Sequence, residues 1–162
     1  MQLVHAIFER GVFRPTGVVN LPDGCEVEFE PHLSPPRMTT DSKQFVLRLN
    51  ELRSLQNGWL DGKGLAPACI GLDWLANEFA SNYSTDLPQP FVYPTAEGGV
   101  QLEWTIGDHE ASLEIDLTSH QAQWHCVNLK TESDSIRDVD LDDVRNWTRL
   151  NDEIRQLAGG AS

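Results

Sequence analysis

The chain has no apolar run approaching the roughly 20 residues that a bilayer-spanning helix requires, and its start carries neither a basic segment nor an apolar export core. Neither a membrane nor an export route is therefore expected. Cysteine is scarce: Cys25, Cys69 and Cys126 are odd in number, far apart, and form no Cys-x-x-Cys pair. The expectation is a reducing cytoplasm, with thiols acting as small apolar side chains rather than as a disulfide framework or a metal centre. Basic residues are few as well. Lys and Arg number 12 against 25 Asp and Glu, a formal charge of −13 over 162 residues. They are scattered singly, often beside carboxylates, as in Glu9-Arg10 and Glu153-Ile-Arg155. Affinity for a phosphate backbone comes mainly from clustered Lys and Arg, so direct nucleic-acid binding is not expected; the acidic charge suits either plain solubility, the simpler reading, or a basic protein partner. Gly-x-Ser-x-Gly, His-Glu-x-x-His, P-loop and dinucleotide fingerprints are all missing.

What is present begins at the N-terminus. His5-Ala-Ile-Phe-Glu-Arg-Gly-Val-Phe-Arg-Pro15, Val18-Val-Asn-Leu-Pro-Asp-Gly24 and Cys25-Glu-Val-Glu-Phe-Glu-Pro31 read as three short strands joined by two turns. Gly11 breaks the first pair, and Pro22-Asp23-Gly24 supplies the fixed φ and the positive-φ position of a tight turn. Apolar and acidic residues then alternate to Glu30. Ala6, Phe8, Glu9, Gly11, Phe13 and Pro15, followed by Leu21, Pro22, Asp23 and Gly24, resemble the motif of the small AF2212-like antitoxins of bacteria and archaea. The resemblance implies a protein-binding role, with a nuclease toxin of the PIN type as the typical partner. The apolar residues of this module, Phe8, Phe13, Val18 and Leu21, are the candidate contacts. Arg10, Arg14 and Arg37 are the nearest thing to a cationic patch, but Glu9, Glu26, Glu28 and Glu30 crowd the same module.

The remainder, with 40% hydrophobic residues and five Trp in the whole chain, is long enough to bury a core. The expected fold class is α+β, divided into a β module over residues 1–32, a Pro-rich linker over 33–41 and an α+β domain over 42–158. In the first expected helix Phe45, Val46, Leu49, Leu52 and Leu55 recur at helical spacing until Asn57-Gly58. A second helix, entered through Ala66-Pro67, carries Ala68, Leu72, Leu75 and Phe79, and the two should form a hairpin. From Pro88 the period falls to two. Strands at Phe91–Tyr93, Val100–Ile106, Leu113–Leu117 and Ala122–Cys126 predict a four-stranded antiparallel meander with one wet, acidic face and the helix hairpin packed on the other. Thr131 to Asp138 reads as loop, and Asp140 as the N-cap of a C-terminal helix along Leu141, Val144, Trp147, Ile154 and Leu157. Short strand edges in the N-terminal module predict pairing with a second copy, hence a homodimer.

Chemistry is thinly signalled. Trp59 and Trp104, with Asp61 and Glu103 as polar contacts, could line a groove for a small ligand or peptide; the alternative is a Trp59 that plugs the helix hairpin and a Trp104 that faces the core. Asp61 and Glu103 are also the one carboxylate pair worth weighing for acid and base roles, but nothing in the sequence brings them together. His120, His125 and Cys126 do not share a strand face, so no metal site is expected, and no cofactor. The expectation is a non-enzymatic, antitoxin-like interaction protein, with an acidic chaperone or adaptor module as the alternative.

Overall fold

Phe45, Leu49 and Leu52 recur on one face of α1, Ser42–Leu52, and all three are buried. The computed structural model describes residues 6–9, 12–15, 17, 19–20, 22, 25 and 42–160. The chain divides into two compact units, Met1–Pro35 and Pro36–Ser162. The expected linker over 33–41 lies outside the described residues, as does most of the expected third strand; Cys25, where that strand was expected to begin, is not in a strand.

In the first unit, β1 (Ala6–Glu9) and β2 (Val12–Pro15) form an antiparallel pair in which Phe8 stands opposite Phe13 and Glu9 opposite Val12. A hydrogen bond from Cys25 N–H to the Pro22 carbonyl closes the turn that Pro-Asp-Gly predicts.

The second unit is α+β. Among the described residues, α1 is followed by α2 (Cys69–Asn82), the strands β3 (Phe91–Pro94), β4 (Val100–Ile106), β5 (His109–Ile115), β6 (Gln121–Asn128) and β7 (Ser133–Asp140), and then α3 (Val144–Gly159). The strands form one antiparallel sheet in sequence order, five strands rather than the four expected. The extra strand is β7, which occupies the stretch read as a loop. It is an edge strand in which Val139 alone is buried, so its alternation is of serines and carboxylates and leaves no hydrophobic period to read. Because β7 runs through Asp140, the cap of α3 moves from Asp140 to Asp143, whose carboxylate accepts the Arg145 N–H at 3.0 Å. The α1 helix also ends earlier than Asn57: the N–H groups of Ser54 and Leu55 bond three residues back, tightening the last turns.

The core lies between helices and sheet. Val100, Leu102, Trp104 and Ile106 of β4, Ala111, Leu113 and Ile115 of β5, and Ala122 and Trp124 of β6 all turn inward. The helices contribute Leu72, Leu75 and Phe79 from α2 and Trp147, Leu150 and Ile154 from α3. Stacked rings link them: Phe45 lies on Phe79 at 3.7 Å, Phe79 on Tyr83 at 4.3 Å, and Trp147 meets Phe79 edge-on at 6.3 Å. Gly71 lets α2 approach the chain after β5, since a Cβ there would lie 2.6 Å from that of Leu117. Asn151 explains a polar residue beside the apolar stripe of α3: its amide donates to the Asn82 carbonyl at 2.8 Å and accepts from Ser84 N–H, finishing the C-terminus of α2. On the inner side of β7, Arg137 is held by Glu153 of α3 at 2.7 Å.

Candidate functional site

β1 and β2 place the first set of predicted contacts. All four residues of β2 are exposed, Val12 at 58% and Phe13 at 42%, although these are the apolar positions of the strand. A two-stranded hairpin is marginal in water by itself. Phe8 lies across from Phe13 in the register. Val18 and Leu21 lie outside the described residues.

The second set sits in three different surroundings. Trp59 is half-buried in its own loop, where its indole N–H donates to the Leu65 carbonyl at 3.0 Å and its ring lies against Gly64. That loop is closed by its own backbone: Gly58 N–H donates to the Gly64 carbonyl at 2.8 Å, and Leu60 and Lys63 bond each other reciprocally. Gly58, Gly62 and Gly64 take positive φ, and so does the exposed Asp61, at 48°. Trp104 is 1% exposed, its indole N–H shared between the Tyr83 hydroxyl and the Pro88 carbonyl at 3.1 Å each. Glu103, the next residue on β4, points to the opposite sheet face, where its carboxylate accepts the Gln101 amide at 2.6 Å. Among the described residues no hydrogen bond or ring contact joins any two of Trp59, Asp61, Glu103 and Trp104.

The structure also assembles a cluster that the sequence does not announce. The His120 ring stacks on Trp74 of α2 at 3.7 Å and within 3° of parallel, and its Nδ1 lies 2.8 Å from the Asp142 carboxylate. His120 itself has φ 60° in the β5–β6 turn, with its N–H on the Asp116 carbonyl and its carbonyl accepting Leu141 N–H. Three segments far apart in sequence meet there, which is why no local spacing reveals it. Asp116 organises the same turn: its carboxylate accepts the N–H groups of Thr118 and Ser119. Those two donors, Ser119 first, hold its pKa below the ordinary aspartate value, with a smaller contribution from His120. A carboxylate whose folded pKa is depressed stabilises the fold above its unfolded pKa, and loses that stabilisation as pH falls through the folded value. Asp116→Asn keeps the acceptor but not the charge. Its melting temperature should therefore fall below that of the wild type at neutral pH, and the gap should close as the pH drops through the acidic range; a gap independent of pH would contradict this assignment.

Among the described residues no group of three or more His, Cys, Asp or Glu could hold a metal ion. No described helix is long and apolar enough to cross a membrane. Cys126 is half-buried beside α3, and burial, helped by the charge of Glu153, pushes its thiol pKa up, which disfavours the thiolate. A family model described as AF2212-like matches residues 1–30, the stretch that carries β1 and β2. No curated protein and no solved structure matches the chain.

Proposed function

We propose that the chain is a non-enzymatic protein-interaction component of antitoxin type, whose N-terminal module engages a partner protein. The AF2212-like match over residues 1–30 carries this reading. The exposed Val12 and Phe13 of β2 support it, because apolar side chains on a short hairpin are the usual anchors of a protein contact. The partner in this reading is a nuclease of the PIN type, met in the cytoplasm, and the module's strand edges pair with a second copy to make a homodimer. A net charge of −13 fits a basic partner and opposes direct contact with nucleic acid.

The test is affinity capture of the tagged full chain from its own host, in parallel with Phe13→Asp. A desolvated interfacial aromatic carries about 2 kcal/mol or more, so the variant should retain only a few per cent of a captured PIN-type nuclease. Recovery of nothing but the chain itself, or equal recovery with both proteins, would overturn the reading. Sedimentation of the purified chain decides separately whether two copies associate.

A further inference from the structure

The sheet turns its inner face to the helices, and no described helix of the second unit packs on the other face. Alternation along the strands puts Glu103 of β4, Glu110 and Glu114 of β5, and Asp134 and Asp138 of β7 on that outer face. No described Lys or Arg shares it, because the sheet's one arginine, Arg137, turns inward to Glu153. Its one imidazole, that of His125, lies 3.7 Å from Asp134. Among the described residues Glu110, Glu114 and Asp138 have no ion-pair partner.

The register shows how these charges coexist. Glu110 stands opposite Thr105 and Val127, Glu114 opposite Gln101 and Gln123, and Asp138 opposite Gln123. No two carboxylates face each other directly, and no cation is placed where a cross-strand pair would neutralise one. The array is broad. Residues four apart on β5 are about 13 Å apart, and β7 lies two strand spacings, about 10 Å, to the side, a span that reaches several basic side chains of a facing protein. Exposed apolar groups frame it: Phe91 and Tyr93, 40% and 43% exposed, on β3, and Ile136, 59% exposed, on β7. A face kept only for solubility is served by mixed signs. One sign with aromatics at its margin is the complement of a cationic protein surface.

We infer that this outer sheet face docks a Lys- and Arg-rich protein surface. This rests only on the basic charge of the partner proposed above, and adds a second contact to the one made by β2.

The test uses the isotopically labelled full chain and a deca-arginine peptide as probe, followed by amide chemical shifts. Three variants are compared with the wild type: the face triple Glu110→Gln/Glu114→Gln/Asp138→Asn, a helix triple Glu51→Gln/Glu78→Gln/Asp152→Asn of equal charge change, and Phe13→Asp. The face residues are exposed, so that triple should melt near the wild type. Shifts are expected along β4 to β7, with affinity falling about ten-fold in the face triple and less than about two-fold in the helix triple. Equal losses in both triples, or shifts centred on the helices, would overturn the inference, since binding would then follow net charge alone. Phe13→Asp should leave peptide binding unchanged. An empty capture with a mapped sheet face therefore removes the toxin-partner reading alone, whereas capture of the nuclease with diffuse peptide binding removes the sheet-face inference alone.

Discussion

Trp104→Ala is expected to lower the unfolding free energy by about 3–5 kcal/mol, enough to move the melting temperature by roughly 10 °C or more in a chain of this size. The indole is 1% exposed, lies 5.8 Å from the Trp124 ring and 6.3 Å from Tyr83, and donates to Tyr83 and Pro88. Truncation opens a cavity and removes that donor together. Trp104→Phe separates the two effects. It retains most of the ring and leaves Pro88 its bond from the Tyr83 hydroxyl, so it should cost about 1–2 kcal/mol. Burial drives the Tyr83 pKa well above the ordinary tyrosine value, so that hydroxyl stays a neutral donor throughout the accessible pH range. Chemical denaturation of both variants gives the comparison, and an alanine variant within about 1 kcal/mol of wild type would contradict the packing described.

The second large effect is at Gly99. A Cβ there would lie 2.4 Å from the Ile115 carbonyl oxygen and 3.0 Å from the Thr95 hydroxyl oxygen. The first obstacle is backbone, at the end of the central strand of the sheet, and cannot swing away. The second is the acceptor for Gly99's own N–H, at 2.9 Å. Gly99→Ala must spread the β3–β4 turn away from β5, at a cost of about 3 kcal/mol, the upper end for overpacking. Gly62→Ala is the control: nothing lies within 4 Å of its Cβ, but φ is 84°, so backbone strain alone should cost about 1 kcal/mol. Equal destabilisation by the two would show that close approach is not what requires glycine at position 99.

The helix pairing and the central strands were legible because burial imposes a period. Phe45, Leu49 and Leu52 follow one helical stripe, Leu72, Leu75 and Phe79 another, and β4 alternates perfectly from Val100 to Ile106. The β7 strand was not legible, because an edge strand with Val139 as its one buried residue is held by its hydrogen bonds to β6 rather than by apolar side chains. The Asp140 cap was misplaced for the same reason, since a strand that goes unseen moves the next helix start. At the candidate site, a core-facing Trp104 was legible, because it falls on the apolar side of the β4 alternation. The meeting of Trp74, His120 and Asp142 could not be read, because it depends on how α2 lies against two turns of the sheet.

The two margins of the sheet are unequal. On β3 the Val92 carbonyl is taken by the Arg48 guanidinium at 2.9 Å, and Pro94 has no N–H to offer. On β7 eight residues run along the opposite margin, and no described strand pairs beyond them. A sheet that can accept a neighbour along one margin but not the other cannot be extended at both ends. Strand addition between copies would therefore stop at a closed pair, and the ribbon-like polymerisation open to a sheet with two bare margins is denied to this one.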